Sequence, residues 1–427
     1  MDYSASMDNE SKRGIDRRRL LGWSGLAAAG AVAGPLLGSE SAHAATKLDT
    51  AYDKVPPATR PGGAYDRYVA QLAAEGKFSG VVMLSHRGRT VLSRSYGMAD
   101  REKKIRIHEG TAFNLSSAGK PFHAVAILQL AQEGKLNLWD TVGAHLKGFD
   151  KDIAEQVTIH HMLSGTSGMN SPDEDLDRIT NSREEVQADN EKWSRQSKLA
   201  APVGTPTEHA GSEVGILSLI VESVSGMSYW DYVEKHVFRR CGMTGTAFYT
   251  RAQWLTDEHI AHSYMRIADG SSVDAVRNLD KGSPDPYQLG KNAARSFIAP
   301  PGDAGFATAP DLVRFANALY DGTALDPHYN ELFVGPKVVH RPQGGGLAAH
   351  AGAKSVPADA SFGSYSLPVS IVQGQWLVGR AGVNPGSFAS WNIYPDSGWV
   401  GVILGNDDNA PFIDIINQEM AAILGTT

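Results

Sequence analysis

The chain has 427 residues, 42% of them hydrophobic and 20% charged, with a formal net charge of -7. That balance supports a sizeable buried core, in one large domain or two ordinary ones. A mildly acidic chain without long like-charge runs argues against nucleic acid as its main partner, and no internal stretch approaches the ~20 apolar residues of a membrane span.

In chain order, the N-terminus comes first. Asp16-Arg17-Arg18-Arg19-Leu20-Leu21 resembles a twin-arginine export motif. A weakly apolar run from Gly22 to about Leu37 follows, then the small-x-small site Ala42-His43-Ala44. Residues 1–44 are therefore expected to be a removed signal, and the mature protein to be periplasmic or extracellular. Residues 45–63, with Pro56-Pro57 and Pro61-Gly62-Gly63, read as a linker. One domain is expected over 64–427.

Tyr65 to Glu75 has helical spacing. Gly80 to Ser85 and Thr90 to Tyr96 read as two strands, with a glycine-containing hairpin turn between them. From about 115 to 325 the pattern is mostly helical. Phe122 to Glu133 is apolar nearly all round, which marks a buried helix. Val214 to Val224, Tyr229 to Phe238 and Asp311 to Tyr320 are further helices. Short apolar runs return at Gln375 to Gly379, Phe388 to Tyr394 and Trp399 to Leu404, and Ile413 to Leu424 closes as an amphipathic helix. Strands at both ends and helices between them predict an α/β fold. Its antiparallel sheet is built from both termini and flanked by helices, with an inserted helical region at about 115–325.

The chemistry centres on Ser117-Ala118-Gly119-Lys120. A serine hydroxyl is a weak nucleophile and needs a nearby base. On a helix, i and i+3 share a face, so Lys120 is placed beside Ser117. Burial in an apolar helix lowers a lysine pKa and makes it a usable base. Pro121 fits only a first turn, which puts the helix start near Ser117. A lone Ser-x-x-Lys is common, but this one opens the most apolar helix of the chain, where a charge needs a reason.

Phe113 to Phe122 (Phe-Asn-Leu-Ser-Ser-Ala-Gly-Lys-Pro-Phe) is similar to the nucleophile segment of the serine β-lactamase, penicillin-binding protein and carboxylesterase superfamily. Leu136 to Asp140, Val157 to Met169 and Gly305 to Leu312 resemble further segments of that family, in order, from about Phe78 to Leu424. The resemblance implies a serine hydrolase that works through an acyl-enzyme, without cofactor or metal, on a small-molecule or peptide substrate.

Two motifs depart from the family pattern. Where it has Tyr-x-Asn, this chain has His209-Ala210-Gly211. His209 stands in for a proton-relaying tyrosine, a role that suits a group with a pKa near ~6.5. Gly211 leaves out a substrate-positioning amide and so leaves room for a different acyl group. Where the family has Lys-Thr-Gly or His-x-Gly, the match falls on Arg380-Ala381-Gly382, with His350-Ala351-Gly352 as a competing candidate. By resemblance, the backbone N–H groups of Ser117 and Val383 form the oxyanion hole. A guanidinium grips carboxylates through two parallel hydrogen bonds, so Arg380 suggests a carboxylate-bearing substrate, held with Gly382. An ordinary strand-end arginine is the competing reading.

Other candidates are weaker. Cys241 reads as a small buried hydrophobe. His259 and His262 have i, i+3 spacing but lack clustered acidic or cysteine ligands. His160 and His161 adjoin and so point apart. Three readings stay open: an esterase, amidase or D-amino-acid peptidase; an acyltransferase or cyclase with the same acyl-enzyme; and a binding protein with a degenerate site.

Overall fold

The computed structural model describes residues 55–206, 211–301, 305–340 and 358–425. The expected export signal, linker residues 45–54, His209 and His350-Ala351-Gly352 lie outside the described residues. The rest of the expected linker is part of the fold. Pro57–Thr59 makes a short 3-10 turn, Thr59 is buried, and a side chain at Gly63 would strike the carbonyl of Pro57.

Helix α1 (Ala64–Ala74) leads into strands β1 (Gly80–His86) and β2 (Arg89–Tyr96). The turn residues Arg87 and Gly88 both have positive φ, 49° and 76°. That is the geometry of a hairpin turn whose twist matches its strands. The helical region follows, with α2 (Lys120–Gln132), α3 (Ile159–Ser164), α4 (Arg183–Arg195), α5 (Gly211–Ser225) and α6 (Ala309–Tyr320). The chain then returns to strands β3 (Val338–His340), β4 (Ala360–Gly363), β5 (Pro368–Val372), β6 (Gln375–Asn384), β7 (Ser387–Tyr394) and β8 (Trp399–Gly405). Helix α7 (Phe412–Leu424) ends the described chain.

The eight strands form one antiparallel sheet in the order β2-β1-β8-β7-β6-β5-β4-β3. The N-terminal hairpin is thus sewn to the last strand, as the sequence predicts. Strands β3 to β5 lie beyond the runs that the sequence marks, and β6 continues five residues past its predicted end.

Alternation along the strands sends two sets of side chains to two cores. Val81, Met83, Ala389 and Trp391 face the helical region, while Val82, Leu84, Phe388 and Ile403 face α1 and α7. The sheet is therefore covered on both faces. Helix α2 runs through the larger core with Pro121 to Ala131 all buried, which explains its lack of a polar face.

Candidate active site

Ser117 lies in a 3-10 turn, Ser116–Gly119, just before α2. The sequence places the helix start near Ser117, whereas the helix proper begins at Lys120. Pro121 sits in the first turn, where its missing N–H costs nothing. In a 3-10 turn side chains at i and i+3 eclipse, which brings Lys120 Nζ to 3.1 Å from Ser117 Oγ. Both residues are half-buried, at the border of core and solvent.

The turn is held against β6. Ser116 takes a left-handed backbone conformation, φ 47°, which is costly for a side chain with a Cβ. Its N–H donates to Asn114 Oδ1 at 3.1 Å and its hydroxyl donates to Val383 O at 3.0 Å. Asn384 Nδ2 donates to the same Asn114 oxygen at 2.9 Å. A Cβ on Gly382 would come within 2.4 Å of Leu115 O and Ala118 N and 2.6 Å of Ser117 N. Only glycine lets the strand come this close to the turn that carries Ser117.

A strand residue's N–H and C=O point to the same side. The Val383 carbonyl faces the nucleophile turn, so its N–H lies on that edge too.

Arg380 also points at the turn, but not as expected. Its Nε donates to Ser117 O and its Nη1 donates to Ser366 O, each at 2.7 Å. Two of its three nitrogens are thereby spent on main-chain carbonyls. Burial pushes the guanidinium down to about 10, still charged at neutral pH. Arg380 is a brace for the nucleophile segment.

The family model described as Beta-lactamase matches residues 65–424. This chain belongs to the beta-lactamase family. Among curated relatives, PbpX of Bacillus subtilis (strain 168), named for penicillin binding, is 31% identical over 258 residues. Those residues are 60% of this chain and 59% of PbpX, so the match spans about three-fifths of that relative. Among solved structures, a penicillin-binding protein from Bacillus halodurans aligns with a TM-score of 0.66 at 24% identity, over 84% of this chain and 99% of that one. EstCE1, described as a hydrolase with promiscuous acyltransferase activity, aligns with a TM-score of 0.66 at 21% identity, over 84% and 97%. These likenesses establish the shared fold.

Against the beta-lactamase-family frame, the remaining predicted residues divide. His209 lies outside the described residues. Gly211 opens α5, and its N–H donates to Ser171 Oγ at 2.8 Å. A Cβ there would meet the Trp193 ring at 3.0 Å. The room expected at Gly211 is therefore taken by Trp193, whose Nε1 donates to Pro172 O at 2.9 Å.

His259 and His262 do not act together. His262 is buried and bonds Asp274 at 2.7 Å, beside Arg277 and Asp100, whereas His259 is exposed next to Asp257. His160 and His161 do not point apart as expected: their rings meet edge to face with centroids 5.9 Å apart, and both pack beside Trp139. His160 bonds the Tyr365 hydroxyl at 2.7 Å, and His161 closes a capping box with Thr158. Cys241 is buried, and burial pushes its thiol up to about 12, far from a reactive thiolate.

Three residues near the site escape sequence reasoning. His123 is fully buried one turn after Lys120, and its Nε2 bonds Ser366 Oγ at 2.8 Å. Burial, then the charges of Arg380 and Lys120, hold it well below the usual histidine pKa, so it is neutral. Its signal was legible: a titratable side chain inside an apolar helix, at i+3 from the lysine. Ser366 and Gln288 sit in loops with no motif to flag them.

Proposed function

We propose that this beta-lactamase-family protein is an exported serine hydrolase acting on an ester or amide through an acyl group on Ser117. The observation that carries this reading is the 3.1 Å approach of Lys120 Nζ to Ser117 Oγ, at a strand edge that presents a second N–H. Lys120 takes the hydroxyl proton as Ser117 Oγ bonds to the substrate's carbonyl carbon. Negative charge collects on the carbonyl oxygen, which the N–H groups of Ser117 and Val383 receive. The alcohol or amine leaves with a proton from Lys120, with His209 as a second candidate donor. Water then repeats the sequence on the acyl ester and frees the acid.

The test is covalent labelling of the mature protein by a fluorophosphonate and by a penicillin, with the adduct located by mass spectrometry. An adduct on Ser117 that vanishes in Lys120→Ala supports the reading. Labelling by neither reagent, together with no turnover of an ester panel, would favour a binding protein with a degenerate site.

A second reading, acyl transfer to an alcohol or amine, draws support from the described activity of the structural neighbour EstCE1. Product analysis with and without such an acceptor separates it from hydrolysis.

A further inference from the structure

A loop beside the nucleophile is pinned at its base. Residues 281–291 leave and rejoin the fold through a narrow neck, where Gly290 N donates to Ser283 O at 2.8 Å and Ser283 N donates to Lys291 O at 3.0 Å. A Cβ on Gly282 would come within 2.4 Å of Gly290 O, so glycine lets the neck close. Below it, Arg295, with a side chain 8% exposed, donates to Leu279 O at 2.8 Å and Gly290 O at 2.9 Å. Within the loop, Gln288 N donates to Asp285 O and Gln288 O accepts from Lys291 N, both at 2.9 Å. The Gln288 backbone is held on both sides, which aims its side chain.

That side chain meets β6. Gln288 Nε2 donates to Val383 O at 2.8 Å. The same oxygen accepts from Ser116 Oγ at 3.0 Å. A carbonyl oxygen offers two lone pairs, and both are in use. Strand β5 pairs with β6 only over Gln375–Val378, so from Arg380 onward this edge has no neighbouring strand among the described residues. Free strand edges take extended amide chains through main-chain hydrogen bonds. The Val383 acceptor, which touches the turn that carries Ser117, is filled by an amide of the protein itself.

We propose that Gln288 is a specificity-determining residue. Its side-chain amide occupies the carbonyl that an acyl group with its own amide N–H would need, so the site favours acyl groups without one. This rests on the Ser117 acyl-enzyme reading. A substrate amide that docks here must displace Gln288 or leave its N–H unpaired, and one neutral hydrogen bond amounts to about tenfold in selectivity.

The test compares two p-nitrophenyl esters, of N-acetylglycine and of 4-oxopentanoic acid. They share leaving group and length, and differ by N–H against CH2 in the acyl chain. In Gln288→Ala, and in Gln288→Leu, which keeps bulk without a donor, the kcat/KM ratio of the N-acetylglycyl to the oxopentanoyl ester is expected to rise about tenfold over wild type. A ratio unchanged in both variants, or an equal fall for both esters, overturns the proposal. A second readout works without turnover. In a Ser117→Ala background, Gln288→Ala is expected to tighten binding of N-acetylglycinamide but not of 4-oxopentanamide in calorimetry. No differential change there overturns the Gln288 assignment, whatever the labelling of Ser117 shows.

Discussion

Arg380 and Trp391 stand opposite each other on β6 and β7, and they hold consecutive carbonyls of the nucleophile turn. Arg380 Nε donates to Ser117 O and Trp391 Nε1 donates to Ala118 O, each at 2.7 Å. A cross-strand pair on the sheet thereby fixes the height and tilt of the turn that carries Ser117. Two donors from one rigid surface pre-organise the nucleophile at no cost during reaction.

Replacing Trp391 by Phe keeps an aromatic ring and removes one donor. We expect kcat on an ester to fall about tenfold, the worth of one neutral hydrogen bond, with KM little changed. Arg380→Ala should lose more, because a charged donor is removed from two carbonyls. Its preference for acidic over neutral esters should stay as in wild type. A lost acidic preference would restore Arg380 as a carboxylate grip.

Lys120→Ala removes the base while leaving Ser117 in place. Acylation is expected to slow by about 10²–10⁴, the usual contribution of a general base. Stopped-flow acylation by a p-nitrophenyl ester measures it directly, with circular dichroism to confirm the fold.

Gly382→Ala puts a methyl into the 2.4–2.6 Å gap to Leu115 O, Ala118 N and Ser117 N. Backbone lines that gap, so strand and turn must part. A displacement of about 1 Å between nucleophile and oxyanion donors costs on the order of 10²-fold in rate. Fluorophosphonate labelling of Ser117 should fall accordingly while the melting temperature changes by less than in a core deletion.

Glu419 of α7 is fully buried against the outer face of the sheet. Its Oε1 accepts from Asn392 Nδ2 at 2.9 Å and the Tyr394 hydroxyl at 3.0 Å. Neither its Oε2 nor the nearby Tyr65 hydroxyl has a hydrogen-bond partner among the described residues. Burial lifts the carboxyl to about 7 from an ordinary 4.5, against the two hydrogen bonds. A raised folded-state pKa contributes stability that is complete below 4.5 and lost as pH rises through about 7. Over that window the loss is about 3 kcal/mol. Glu419→Gln carries no charge, so its melting temperature should gain on wild type by about 4 °C between pH 5 and pH 8. Parallel melting curves across that range would count against it.

Strands β1, β2, β7 and β8 and helix α2 were legible because apolar runs bounded by turn residues, and one helix apolar nearly all round, stand out in the sequence. Strands β3 to β5 were not. Their short segments alternate weakly, and Pro368 opens one of them. Ser117 and Lys120 were legible because they are three apart on one turn. Arg380 was placed on the facing strand, but its bonds to Ser117 O and Ser366 O were not legible, since a guanidinium carries no mark in sequence of whether it meets a ligand or a backbone carbonyl. Gln288 was invisible for a related reason. Its contact with Val383 spans 95 positions and depends on a pinched neck that no local pattern announces.

The contact between Arg380 and Ser117 spans 263 positions, and β1 has one flank open until β8 is made. During translation the emerging chain therefore displays Ser117 and Lys120 long before it owns the strand that seats them. Until residues 399–405 have cleared the ribosome, the sheet behind the Ser117 turn is incomplete. Any product cut short before that point carries Ser117 and Lys120 without the completed sheet that braces their turn.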